Sequence, residues 1–407
     1  MRDFILKLGP GLIFAGAAIG VSHLIQSTRA GAEFGLILIP LIILANVIKI
    51  PFFEFGTRYS ASTNQNLVQG YKQLGQFPFL IFVIFTLLTF LIIEAAVILV
   101  TAGLAEQLFK TGLDLNILII LLFIFSISIL LIGKYHLLDK LMKILVTLMG
   151  VFTLVAVCFA IASKSVPVNF ALDLSNLQQA SSLGFIIALI GWMPAPIEVS
   201  VMSSIWVVEK TQQAQSSFKD KLFDFYLGYI VTAIMAILFT LMGALILYGQ
   251  SFPNGAVGFS VALVSMYTQV LGENSWLLIS ICAFSVILST NITLVDAYPR
   301  VLEQCYYNFF NTPSKSMSKV YWAFMAITVI GSTIIVSQFK GDLKAMVDFA
   351  TKISFIVAPF MAWLNLKLVC SNQMQEQHRP SKLYIMFSKF SLLTMVVFTI
   401  YYISHIL

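Results

Sequence analysis

GPGLIFAGAAIGVSHLIQSTRAGAEFG, residues 9–35, is apolar enough to span a bilayer, yet Gly16, Gly20 and the Val21-Ser22-His23 stretch interrupt it where the midplane falls. A helix that breaks inside hydrocarbon leaves backbone N–H and C=O groups unpaired, which is tolerated only where the break is buried in protein or lines a cavity. The stretch therefore reads as a discontinuous helix. Secondary transporters build their substrate sites from such breaks, with half-helix ends and freed carbonyls turned to the solute.

The rest of the chain supports a membrane setting. Of 407 residues, 59% are hydrophobic and only 10% charged, and the mean hydropathy is +0.93. A soluble globule carries about a quarter charged residues, so this is a polytopic protein of the lipid bilayer. The formal charge of +6 fits Lys and Arg gathered at cytoplasmic ends, and no basic tract points to nucleic acid. Cys158, Cys282, Cys305 and Cys370 lie far apart with no CxxC or Cys/His pairing, so neither a disulfide nor a zinc site is expected. The start, MRDFILKLGPG, has no small-residue cleavage site, and the first apolar segment is expected to remain as a span.

Apolar runs of about 20 residues place eleven spans at 10–32, 36–57, 78–108, 115–133, 139–163, 183–205, 222–248, 274–308, 319–338, 343–370 and 383–405, joined by short loops. With the N-terminus inside, sixteen Lys and Arg residues, from Arg2 and Lys7 to Arg379 and Lys382, fall on the cytoplasmic side. Only Arg29, Lys110, Lys164, Lys340 and Lys344 fall outside, and this asymmetry orients the chain with its C-terminus outside. The sixth span carries a second interruption, LIGWMPAPIEVS (residues 189–200), where Pro194 and Pro196 remove two backbone donors. Breaks in the first and sixth spans match in two sets of five, the pattern of an inverted-repeat transporter with its site between the breaks.

These segments, with Glu94 in the third span and Ser289-Thr290-Asn291 in the eighth, resemble the Nramp transporters of divalent metals over nearly the full length. The chain is closer still to a divergent bacterial Nramp-like branch, through KIPFFEFGTRY and, in the eighth span, VDAYPRVLEQ. The resemblance implies an all-α integral membrane protein of the leucine-transporter-like fold. It would have 11 transmembrane helices in a 5+5 inverted repeat, with helices 1 and 6 broken at the midplane. Residues 1–163 would form the first repeat, 183–370 the second and 383–405 an additional helix. Alternating access, proton-coupled metal uptake and a bacterial plasma (inner) membrane location follow from the same resemblance.

Its site motifs depart from this sequence. The family's first-helix Asp-Pro-Gly-Asn aligns with Gly20-Val21-Ser22-His23, which changes both metal-binding side chains. Met-Pro-His-Asn of the sixth helix is here Met193-Pro194-Ala195-Pro196, keeping the thioether, and the two histidines associated with proton movement become Ala195 and Ser200. The third-helix Asp is Leu91 while its Glu survives as Glu94; the tenth-helix glutamine falls at Thr351.

The residues themselves suggest a substrate-binding set of Gly20, Ser22, His23, Met193, Pro194 and Glu198. Of these His23, Met193 and Glu198 are candidate metal ligands: an imidazole and a thioether suit a transition ion better than magnesium, and a carboxylate supplies charge. The bland alternatives are a His23 hydrogen-bonded to a carbonyl, a Met193 packed in the core, and a Glu198 in the first turn of the inner half-helix behind Pro196. Glu94, alone in FLIIEAAVILV, is a candidate proton carrier or a paired structural charge. Ser285, Ser289, Thr293, Asp296 and Arg300 form one polar stripe. Asp296 and Lys352 join Glu94 as coupling candidates, Lys352 as a fixed cation in place of a coupling ion. Asp296/Arg300, Asp348/Lys352 and Arg29/Glu33 each have ion-pair spacing along a helix. Two functions follow: a carrier of a divalent metal cation through a remodelled site, or a carrier of a small organic solute such as an amine or amino acid. The second is favoured by the missing first-helix carboxylate, since desolvating a divalent ion without one is costly. No Walker-type GxxxxGK[ST] occurs, which argues against an ATP-driven pump; no enzyme activity and no cofactor are expected.

Overall fold

A computed structural model describes residues 9–132, 135–162, 180–213, 216–250, 252–312, 317–339 and 341–406. Arg2, Lys7, Lys134, Lys164, Lys315 and Lys340, which enter the charge asymmetry above, lie outside the described residues. Fifteen helices account for the described chain. The first span consists of α1 (Pro10–Ala18) and α2 (Ser22–Phe34), bent by 48° at the break. Then come α3 (Ile39–Thr63), α4 (Leu67–Leu74), α5 (Gln76–Phe109), α6 (Leu115–Ile132), α7 (Tyr135–Ala162), α8 (Ala180–Gly191) and α9 (Val199–Gln213). α10 (Phe218–Met242), α11 (Ala256–Leu271), α12 (Trp276–Phe310), α13 (Lys319–Gln338), α14 (Leu343–Val369) and α15 (Lys382–Ile406) complete the fold.

Nine of these segments are individually long and apolar enough to cross a membrane, and the bent α1/α2 pair is a tenth. α8 and α9, separated by the Trp192–Glu198 break, make the eleventh. Two helices stand where loops are expected from the sequence. α4 is short and closed at its start by a reciprocal Asn66/Gln69 capping box. α11 is a sixteen-residue helix between the seventh and eighth spans, too short to cross a bilayer.

Burial sorts the spans. In α12, 78% of the apolar window is inside the protein, against 28% for α6 and α13 and 22% for α15. α12 is therefore central, and α6, α13 and α15 turn their exposed Ile, Leu and Phe side chains to lipid. Around the centre α5 packs on α12, α3 on α9 and α10, α1 on α10, and α8 on α14, while α15 lies against α14 and α3.

Local chemistry fixes the first span in this frame. Pro10 opens α1 at a position whose N–H has no helical partner. The Asp224 carboxylate of α10 accepts hydrogen bonds from Gly9 N (3.1 Å) and Gly11 N (2.7 Å), so the cap comes from another helix. Glycine pairs allow this approach. A Cβ on Gly11 would lie 2.0 Å from the Asp224 carbonyl oxygen, and one on Gly31 would lie 2.0 Å from that of Thr240. α10 thus grips both halves of the broken span through backbone contact.

Candidate functional site

The first break begins where Ile19 leaves helical geometry, at φ −75° and ψ 74°. Gly20 follows, backed by Thr290 of α12, and the chain resumes as a π-helical turn over Ser22–Ser27. The second break runs from Trp192 to Glu198. The two meet directly: the Ser22 hydroxyl lies 3.1 Å from the Pro194 carbonyl oxygen, and also 2.9 Å from Ala18 O and 2.8 Å from His23 Nδ1. Ser22, His23 and Pro194 of the expected substrate set are thereby brought together. Thr290 ties the same region to α12, donating to Gly16 O at 3.1 Å.

His23 is fully buried. Its Nε2 lies 2.9 Å from the Thr232 carbonyl oxygen on α10. A carbonyl only accepts, so Nε2 carries a hydrogen, and the lone pair a metal would need is absent at that atom. Nδ1 faces Ser22. This arrangement is the carbonyl-bonded histidine, with the Nδ1 lone pair turned to the Ser22 hydroxyl. Met193, also fully buried, belongs to an apolar cluster with Ala30, Phe34, Ile42, Phe185 and Ala236. Glu198 accepts a 2.5 Å hydrogen bond from Thr89 of α5. α9 begins at Val199, so Glu198 precedes its first turn and does not lie within it. Among the described residues no group of three or more His, Cys, Asp or Glu side chains is gathered to hold a metal.

Glu94 is fully buried, and neither carboxyl oxygen has a hydrogen-bond partner among the described residues. Leu91, at the position of the family's third-helix Asp, packs instead against Gly331 of α13. Ser200 meets Asn365 Nδ2 at 2.9 Å, and the same amide donates to Phe52 O at 2.7 Å. Thr351 bonds back to its own helix at Val347 O, 2.8 Å.

Two of the three expected intrahelical ion pairs form, and both extend across helices. Arg29 pairs with Glu33 (3.0 Å) and with Asp348 of α14 (2.7 Å), and Lys344 reaches Glu33 at 2.9 Å. Asp348 is thus the partner of Arg29, which corrects the Asp348/Lys352 pairing; Lys352 Nζ instead approaches Gly184 of α8. Arg300 pairs with Asp296 (2.7 Å) and with Glu209 of α9 (3.1 Å), while Tyr321 donates to Asp296 at 2.6 Å. The crossing order of the spans puts the Arg29 network on one side of the breaks and the Arg300 network on the other. Ser289 and Thr293 of the polar stripe line a mostly apolar cavity of about 380 Å³ that reaches Gly16 and Ile19 between α1, α7, α10 and α12.

Sequence reasoning passed over Lys49. It sits near the middle of α3, is 1% exposed, and donates to the carbonyl oxygens of Ile190 and Gly191 (3.0 Å for the latter) at the end of α8. The signal was present: a lone lysine in ANVIKIPFF, where an ionisable group within a span is by default functional.

Broken, mutually facing half-helices in an all-helical membrane fold define an integral membrane carrier. The sequence profile described as "Natural resistance-associated macrophage protein-like" matches residues 11–405, and the chain belongs to this family, Nramp. It is 35% identical over 403 residues to an uncharacterized protein of Pasteurella multocida (strain Pm70), covering 98% of this chain and 92% of that one. The fold is similar to the manganese transporter of Eremococcus coleocola. A histidine-to-alanine mutant of that protein superimposes with a TM-score of 0.76 at 14% identity, covering 99% of this chain and 87% of that one. It is also similar to a nucleobase-cation-symport-1 family transporter in a closed conformation with bromovinylhydantoin bound (TM-score 0.63, 15% identity, 97% and 91% covered).

Proposed function

We propose that this chain is a secondary-active, alternating-access carrier that moves a divalent metal cation through a remodelled site between its first and sixth spans. The observation that carries this is the meeting of the two breaks through Ser22 and Pro194, in a chain of the Nramp family. The manganese named for a protein of the same fold supports the substrate class. Glu94 is the proposed coupling carboxyl: a buried, unpartnered carboxyl is most cheaply held neutral, which suits an alternately loaded proton site. Asp296 and Lys352 are secondary coupling candidates. The repeats proposed are 1–163 and 183–370. Packing supports them, because pairs recur on shifting by five spans: α2 with α10 corresponds to α9 with α3, and α5 with α6 to α12 with α13. The Lys and Arg distribution supports a bacterial plasma membrane protein with a cytoplasmic N-terminus and its C-terminus outside.

A second reading, transport of a small organic solute on the same scaffold, is favoured by one observation. The first break holds no carboxylate, and an ammonium already occupies the carbonyls at the second. Uptake into proteoliposomes of manganese, cadmium, magnesium and a panel of amines and amino acids, with a pH-sensitive dye inside, tests both. Metal influx establishes the first reading. Silence toward every metal with a response to an organic solute replaces it with the second.

A further inference from the structure

The C-terminal end of a half-helix carries carbonyl oxygens without helical partners and the negative pole of the helix dipole, so it attracts a cation. In transporters with discontinuous helices such ends receive the coupling or transported ion. Here the end of α8 is already filled. Lys49 enters from α3 and its Nζ donates to Ile190 O and Gly191 O, within three residues of Met193 at the second break. Its stem runs along a small apolar groove with Ala45, Ile48 and Phe355. None of the ion pairs formed by the described residues includes Lys49. With no carboxylate in an ion pair with it, Lys49 is held by backbone carbonyls that stand in for water around its Nζ, as they would around a bound monovalent cation.

We propose that Lys49 is a resident cation of the substrate region: its ammonium takes the seat that the end of α8 offers to a free cation, and a cation entering at this break displaces it. This rests on the carrier reading given above and adds the residue that sets cation occupancy. It also accounts for the neutral first break. With a positive charge supplied by the protein at one half-helix end, the site needs no additional carboxylate to stay balanced while empty.

The test reads binding without transport. Thermal unfolding of the purified full chain in detergent is followed with manganese, cadmium, sodium or n-butylammonium chloride, for wild type, Lys49→Met and Lys49→Arg. Lys49→Met keeps the stem and removes the charge, so it is expected to reach half-maximal cation stabilisation at a concentration about tenfold or more below wild type. Lys49→Arg keeps the charge on the carbonyls and is expected to respond like wild type. Equal cation responses in Lys49→Met and wild type, or in both variants alike, overturn the proposal and leave Lys49 a structural cap of α8. If Lys49→Met is too unstable to purify, it is prepared with n-butylammonium or with 1-butanol. Recovery by the amine alone supports the displaced-cation seat, and recovery by neither or by both overturns it. Because no step measures uptake, a negative transport experiment leaves this outcome intact, and the reverse also holds.

Discussion

Glu94 carries two carboxyl oxygens without a partner at a fully buried position among helices α5 and α12. An isolated charge in such a place costs several kcal/mol or more, so a change of charge there requires a cation or reorganisation nearby. Glu94→Gln is isosteric and fixes the neutral form. Initial uptake rates measured across a pH series are expected to lose their pH dependence in this variant while substrate affinity changes little; a profile superimposable on wild type removes Glu94 from coupling. His23 shows the converse case. Its residue type invited a ligand role, but the Thr232 carbonyl at 2.9 Å engages Nε2 as a donor, and no single-residue property reports where that carbonyl lies.

At the scale of elements, the first span works as two half-helices held by a third. α10 caps α1 through Asp224 and meets both halves through Gly11, Gly31, Gly228 and Gly243, whose added Cβ atoms would each lie within about 2.1 Å of a backbone oxygen. The first half-helix thus depends on a carboxylate that is not its own. Asp224→Ala removes the acceptor for two buried N–H groups and is expected to cost about 1–3 kcal/mol. It is read as a lower unfolding temperature, with faster amide exchange confined to residues 9–18. Destabilisation with no local change in α1 exchange would show that the cap is not what seats α1. The break positions themselves were legible in the sequence, because Gly20 and Pro194 act on their own backbone. α4 and α11 were not. Their faces are only partly apolar, and they form because α5 and α12 offer surfaces to cover.

For the whole molecule, the two charge networks bracket the breaks. On the α2 side Arg29 joins the first span to α14, stacked over Phe185 of α8 at 4.3 Å. On the α1 side Arg300 joins α12 to α9. Alternating access requires one such closure to open while the other holds. Arg29→Ala leaves Asp348 without its nearest cation; the pair is only partly buried, Asp348 being 17% exposed, so the cost is below the ~3–5 kcal/mol of breaking a fully buried pair. The expected outcome is increased deuterium uptake over residues 22–34 and 343–352 with residues 199–213 unchanged. The Arg29→Asp/Asp348→Arg exchange is expected to restore protection in part. Uniform deprotection of both sides would mean that the network maintains the fold and not one closure.

The sequence by itself determined the membrane class, the number of spans and the two breaks. These depend on apolar length, on glycine and on proline, which act within a few residues of where they stand. The family, too, was legible from the ordered motifs at the breaks. Tertiary structure alone decided the partners. Asp348 bonds Arg29 across 319 residues, Glu198 is held by Thr89, and Lys49 reaches Ile190 and Gly191 from another helix. Charge pairing in a low-dielectric interior is set by which helix faces meet, and a buried charge takes whatever acceptor the packing brings within reach. Intrahelical spacing therefore identified the candidates at Arg29, Asp348 and Lys352 without identifying which of them would bond.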